Sequence, residues 1–557
     1  MDINFLFKID ALSGFIALAI GLFSVLTLIY SFRFMRGRQK LIQYYTCIIL
    51  TALASLGVVL TNNLILLLVF WGFLGLMLYL LVNMGDEDSM PVAKKSLIIV
   101  GGSDALMLLG VSIILYYSRT AQIDAISLGL NDGLLVLAYV SIAIGCFAKA
   151  GAMPFHSWIP DCAKSAPVPV TAFLPASLDK LLGIYLLVRV SLSIFVMNRA
   201  MNNVLMFIGA FTIMAAVMMA LVQHNFKRLL GYHAVSQVGY MILGIGTGNP
   251  IGIAGGLFHM LNNAIYKSCL FLSAGNVEYR TKTTELDELG GLGKLMPLTY
   301  ISCLIASLSI SGIPPFNGFV SKWLIYQGLV LNISDGASRL QVIFGVFCLA
   351  AAMFGSSLTL ASFMKLLHAV FLGQRQDSLK YKNVTEVPWT MWLPCVILAL
   401  ICIIFGVFAF VIPLKYFILP AISNYQYINT TDLLGAWSPV LATLLLILGL
   451  VIGFILFKLT RLKLSFRQDS LFCGAELTEQ KEDTMVTGTE FYNTVRDIRW
   501  LGYLYKKAEQ GVFDIYEQGK RIFCASRFLQ FLHNGVLPTY LVWILLGMAG
   551  LFLILAR

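Results

Sequence analysis

Apolar runs of about twenty residues recur along nearly the whole chain, and their length limits what it can fold into. A helix rises 1.5 Å per residue, so about 20 residues cross the ~30 Å hydrocarbon core of a bilayer. The runs predict helices near 10–32, 42–61, 63–83, 96–117, 133–150, 168–194, 203–223, 231–246 and 251–275. Further ones are expected near 297–328 (interrupted), 340–371, 390–414, 437–457 and 538–556. The fold class is therefore an all-α polytopic membrane protein with about fourteen transmembrane helices. Composition agrees, since only 12% of the 557 residues are charged, about half the fraction of a soluble domain.

Loops give the orientation, because Lys and Arg collect on the cytoplasmic side of short connections. One set of alternate loops carries Arg33, Arg36, Arg38, Lys40, Lys94, Lys95, Lys164, Lys227, Arg228, Arg280, Lys282, Lys294, Arg375, Lys380 and Lys382, whereas the other carries Arg119, Arg199, Arg339 and Lys415. This places the N-terminus outside an inner or plasma membrane. The formal charge of +11 then reflects positive-inside bias and a basic C-terminal segment, and no nucleic-acid partner is implied. Lys8, Asp10 and a first span too long for a signal-peptide core predict that the N-terminus stays attached.

Lys149, Lys267 and Lys322 lie in the middle of long apolar runs. A charge at mid-membrane costs about 2.5–3.5 kcal/mol, so three such placements point to a chain that moves ions. The ten cysteines are scattered singly, without C-x-x-C or a Cys/His cluster, and there is no phosphate-loop or G-x-G-x-x-G pattern. No metal site and no cofactor are expected in this chain; if electrons drive it, a partner carries them.

An internal repeat interrupts two of the runs. Gly151-Ala152-Met153-Pro154-Phe155-His156-Ser157-Trp158 matches Gly312-Ile313-Pro314-Pro315-Phe316-Asn317-Gly318-Phe319. Proline removes a helix donor and clashes with the preceding turn, so Pro154, Pro314 and Pro315 predict two broken helices. The interrupted spans are an odd number apart, which reverses the chain direction between them and suggests inverted repeats. Lys149 lies just before one break and Lys322 just after the other. Between them His259, Asn263 and Lys267 recur at four-residue spacing, so one helix face offers a polar file.

Phe147-Ala148-Lys149-Ala150-Gly151 through Pro154, His156, Trp158, Pro160 and Asp161, then Lys227 to Tyr232, Phe258-His259 with Lys267, and Gly318 to Lys322 resemble the antiporter-like subunits of respiratory complex I, Mrp-type cation/proton antiporters and membrane-bound hydrogenases. The similarity covers most of residues 10 to 415. Tyr232-His233, the Lys365 to Gly373 stretch with His368, and the Phe472-Cys473-Gly474 turn look more like the hydrogenase and formate hydrogenlyase branch. The resemblance implies that Lys149 takes up protons in a first half-channel, Lys267 is central, Lys322 ends a second half-channel and His259 relays between them. Burial disfavours a charge, which brings such groups within reach of reversible protonation.

The chain departs from the family pattern in places. The family's acidic partner follows an early tryptophan, yet Trp71 is followed by Gly72. Asp104 and Asp179, the latter next to Lys180, are the available intramembrane acids for Lys149. Pro175 and Asn263 stand where relatives often carry histidine, and two upstream helices seen in the family have no counterpart before residue 10.

Four regions are expected: an antiporter-like core over 1–415, an additional helix region over 416–457, a cytoplasmic-side amphipathic region over 458–537 and a final transmembrane helix over 538–557. Apolar residues from Glu490 to Phe531 recur at helical spacing and predict a lateral helix on the order of 60 Å long. The leading functional expectation is a proton-translocating, alternatively sodium-translocating, subunit of a complex I-like or hydrogenase-like redox complex. It would work beside other membrane subunits and soluble redox subunits that carry iron–sulfur or nickel–iron centres. The alternatives are a subunit of a redox-independent antiporter or inorganic-carbon uptake complex, and a structural subunit that no longer transports.

Overall fold

The computed structural model describes residues 6–86, 88–334, 338–373, 384–423, 439–459, 498–523, 541–542 and 544–548. The chain forms two compact units, Met1–Asp497 and Ile498–Arg557.

The first unit is built from helices α1 (Ala11–Phe34), α2 (Leu41–Leu60), α3 (Leu64–Val82), α4 (Ser89–Ser118), α5 (Gly133–Ala150), α6 (Trp158–Ser165), α7 (Val168–Ile194), α8 (Arg199–Leu221), α9 (Phe226–Gly246) and α10 (Pro250–Thr281). It continues with α11 (Pro297–Ser311), α12 (Asn317–Ser334), α13 (Arg339–Leu372), α14 (Trp389–Val407), α15 (Phe410–Ile422) and α16 (Pro439–Leu459). Nine helices among the described residues are long and apolar enough to cross a membrane.

Short polar residues start these helices. Asn63, Asp132, Asn198, Asn225 and Asn249 each accept a hydrogen bond from a first-turn amide of the helix that follows, a cap worth about 1 kcal/mol.

The interior of the unit carries polar groups among its apolar side chains, and its periphery is apolar. α9 and α10 are almost entirely buried, yet they carry Ser236, Gln237, His259, Asn262, Asn263, Lys267 and Asn276. The peripheral helices α1 to α4 and α13 instead expose Leu18, Phe32, Ile42, Leu53, Val69, Ile98, Ile343 and Phe347. Around α10 pack α9, α11, α12, α14 and α7.

In the second unit the expected long helix is not continuous. α17 (Arg499–Glu509) ends in a turn in which Gly511 takes a φ of 70°, and α18 (Ile515–Phe523) starts after Asp514, whose carboxylate accepts from the Tyr516 amide. Apolar periodicity runs through this turn, so spacing alone overlooked it. Residues 490–497 and 524–531 of that segment, the Phe472–Gly474 turn, and most of the helix expected over 538–557 lie outside the described residues.

Candidate functional site

At the first copy of the repeat α5 ends on Ala150 because Gly151 turns into the left-handed region at φ 84°. A side chain there would also collide with Ile159, whose Cδ1 lies 1.9 Å from the place of a Cβ. Trp158 closes the turn by donating its indole N–H to the Ala148 carbonyl at 3.0 Å.

The neighbouring α7 contains a wide turn over Leu174–Leu178, where Pro175 cannot donate to the helix ladder. Its carbonyls are taken by side chains. Lys180 Nζ donates to Pro175 O at 2.5 Å and to Ala150 O, at the end of α5, at 3.2 Å. Asn263 Nδ2 donates to Ala176 O at 3.4 Å, and Ser268 Oγ to Ala172 O at 3.0 Å.

At the second copy of the repeat α11 ends on Ser311 and Gly312 takes φ 80°. Lys322 Nζ, from α12, reaches back to Ile310 O at 2.8 Å and Ser311 O at 3.4 Å. The Asn317 amide donates to Asn262 Oδ1 at 2.9 Å and its carbonyl side-chain oxygen accepts from Ser309 Oγ. The two copies of the repeat are thus closed alike, each with a buried ammonium on the negative end of the helix that precedes it. The lysine that does this at the first copy is Lys180, whereas the sequence pairing matched Lys149 with Lys322. Lys149 lies two residues before Gly151, at the place Ile310 holds before Gly312.

Lys149 is 1% exposed and its ammonium sits 4.5 Å above the Trp71 ring. The indole N–H donates to Asp104 Oδ1 at 2.9 Å. Asp179 and Asp104 both act electrostatically on Lys149. The Asp179 Oδ2 atom is buried without a hydrogen-bond partner in the structure. Gly72 is exposed, and a Cβ added there would meet nothing within 4 Å. A side chain at position 72 points away from this group.

The centre lies between α9, α10 and α12. Lys267 Nζ donates to Leu230 O at 2.9 Å and lies 5.7 Å from the Phe363 ring centre. His233 Nε2 pairs with Ser362 Oγ at 2.7 Å. His259 lies between Ser321 Oγ, 2.9 Å from Nδ1, and Gln237 Oε1, 3.0 Å from Nε2. The expected file of His259, Asn263 and Lys267 is fully buried, but the three side chains bond to three different neighbours.

Lys365 is buried and donates to Leu221 O at 2.9 Å and Gln223 O at 3.0 Å, just past the end of α8. It is a third lysine on a helix C-terminus. His368 opens the wide turn His368–Leu372 and is exposed, so it lies apart from the buried group. Nearer the helix ends, ion pairs join Lys95 to Asp161 at 2.7 Å and Lys227 to Glu278 at 3.1 Å.

Sequence reading passed over Gln237, Ser321 and Tyr266 as functional groups. Gln237 and Ser321 are polar residues inside long apolar runs, the same signal that singled out the lysines, but an uncharged side chain costs less to bury and so stands out less. Among the described residues no group of three or more His, Cys, Asp or Glu is placed to hold a metal ion. The eight described cysteines are unpaired and buried.

Residues 61–371 match the family model for the transmembrane region of NADH:quinone oxidoreductase and Mrp antiporter subunits. Curated relatives include an Na(+)/H(+) antiporter subunit of Staphylococcus haemolyticus, 31% identical over 73% of this chain and 53% of its own length, and one of Alkalihalophilus pseudofirmus, 31% identical with the same coverage. The chain therefore spans about half the length of these relatives. Among solved structures, the membrane-bound sulfane sulfur reductase, an archaeal respiratory membrane complex, superposes over 99% of this chain and 89% of the matched one at TM-score 0.75 and 22% identity. A chain of the Mrp complex from a Dietzia species gives TM-score 0.68 at 22% identity over 75% and 84%, and one of respiratory complex I from Thermus thermophilus gives 0.65 at 21% over 77% and 86%. These structures share its fold. The chain is a multi-pass membrane protein and belongs to the NADH:quinone oxidoreductase/Mrp antiporter transmembrane family.

Proposed function

We propose that this chain moves protons across a membrane, with sodium as the alternative ion, as one subunit of a larger redox complex. The observation that carries the proposal is the buried row Lys149, Asp179, Lys180, Lys267, His233, His259 and Lys322 between the two breaks. Along it Asp179 Oδ2, His233 Nδ1, Gln237 Nε2 and Asn263 Oδ1 have no protein partner. Buried polar atoms of this kind are places for ordered water, and water between titratable groups passes protons.

In this reading α5 with α6, and α11 with α12, are the halves of two broken helices in inverted repeats, the spans number about fourteen, and the N-terminus is outside. Asp104, beside Trp71, stands in for the acid missing at Gly72. The amphipathic region over 458–537 lies on the cytoplasmic side and braces neighbouring subunits, and a helix over 538–557 returns to the membrane.

A redox partner set is favoured by the resemblance of Tyr232-His233 and the Lys365 to Gly373 stretch to the hydrogenase branch. A second reading, a subunit of a cation/proton antiporter without redox partners, is favoured by relatives that are Na(+)/H(+) antiporter subunits. Purification of the intact complex followed by mass spectrometry separates the two. Iron–sulfur or nickel–iron subunits are expected; small antiporter subunits alone would establish the second reading, and a chain isolated without partners would contradict both.

A further inference from the structure

His259 offers its two ring nitrogens to different helices. Nδ1 faces Ser321 on α12 and Nε2 faces Gln237 on α9, while the Tyr266 hydroxyl lies 3.3 Å from both Nε2 and Gln237 Oε1. All four side chains are fully buried. Any change in which nitrogen holds the proton must be answered by these neighbours, because no bulk water reaches them.

Two arrangements of hydrogen satisfy the distances. In one, Ser321 donates to Nδ1 and the ring donates from Nε2 to Gln237 Oε1, which leaves Gln237 Nε2 without a partner. In the other, the ring donates from Nδ1 to Ser321 Oγ, the serine hydroxyl turns to Gly318 O at 3.1 Å, and Gln237 turns its amide over to donate to ring Nε2. An amide and its flipped form have the same shape, so the turn needs no extra room.

We propose that Gln237 and Ser321 are positioning residues that set the tautomer of His259 and must both turn between one proton and the next. The inference rests on the ion-translocation reading and deepens it. A proton that binds at Nδ1 gives an imidazolium held by Ser321 Oγ and Gln237 Oε1. Loss of the Nε2 proton then leaves a neutral ring in the second arrangement, with one proton in and one out. The ring proton left on Nδ1 has to pass to Nε2 before Gln237 and Ser321 return to the first arrangement and the ring can take the next proton.

The charged and titratable groups facing His259 are few. From α12, Lys322 Nζ lies 4.7 Å above the Tyr240 ring, and that ring, on α9, is centred 5.4 Å from the imidazole. Tyr266 and, two turns on, Lys267 belong to its own helix, and Cys402 of α14 acts on Tyr266. Lys322 and His259 thus both lie against one tyrosine ring, where a charge on either opposes a charge on the other.

The test uses everted membrane vesicles that contain the whole complex, with rates normalised to assembled complex. Ser321→Ala and Gln237→Leu should each lower proton translocation about tenfold or more and displace its pH profile, while Ser321→Thr, which keeps the hydroxyl, should restore both. A packing role alone would lower the amount of complex and leave the profile of the remainder in place. Unchanged rates and profiles in Ser321→Ala and Gln237→Leu, beside an inactive Lys322→Ala, would overturn this inference and spare the translocation reading. Full activity in Lys322→Ala would overturn both.

Discussion

At the scale of single residues, Lys149 has no acid at position 72, the place after Trp71 where the family resemblance implies one. The ammonium lies against the face of Trp71 while the edge of the same ring donates to Asp104, so one indole joins cation and anion. A cation over an aromatic face gains about 0.5–2 kcal/mol, less than the cost of a lone charge at mid-membrane, which leaves the carboxylates necessary. Asp104→Asn should therefore slow translocation on the order of tenfold, the equivalent of about 1.4 kcal/mol. Adding Gly72→Glu to that variant should not restore it, because position 72 points into open space. Recovery of wild-type rate in the double variant would show that the acid at 72 reaches Lys149 after all. The sequence made the loss at Gly72 legible and named Asp104 and Asp179 as substitutes, but not the ring between lysine and acid, which depends on two helices crossing.

At the scale of elements, the helix ends at the two copies of the repeat are defined by glycine and closed by lysine. Prolines marked both places in the sequence, yet the residue that ends each helix is Gly151 or Gly312, and the ammonium that takes its free carbonyls comes from Lys180 or Lys322. Lys180 lies thirty positions beyond Ala150, so no local pattern reveals the contact. The amphipathic segment shows the opposite difficulty. Its periodicity from Glu490 to Phe531 was legible, but the turn at Gly511 keeps the apolar spacing on both sides and was not.

Gly151→Ala tests the first of these helix ends. A left-handed alanine costs about 1–2 kcal/mol, and its Cβ would overlap Ile159. Thermal unfolding of the detergent-solubilised protein should show a loss of more than about 2 kcal/mol. An unchanged midpoint would mean that α5 and α6 can meet in another way.

At the scale of the whole molecule, the described titratable groups include an interior row and, apart from it, ion pairs that tie helix ends together. Asp10, just before α1, meets Arg189 of α7 at 2.6 Å. Burial alone would raise the Asp10 carboxyl, but the hydrogen bond and charge of Arg189 outweigh it and hold the group below the usual carboxylate range. A carboxyl lowered by folding adds stability above its unfolded value of about 3.9, and that stability is lost as pH falls through the folded value. Asp10→Asn should cost about 2 kcal/mol near neutral pH and flatten the acid limb of the stability curve. A variant with the same acid limb as wild type would assign no such role to the pair.

The central claim is that the buried lysines carry the ion. Proton movement into everted vesicles that contain the intact complex, compared between wild type, Lys149→Ala and Lys322→Ala at equal amounts of assembled complex, tests it most directly. Both variants are expected to insert and assemble yet move no protons above background; wild-type proton movement in both would contradict the account.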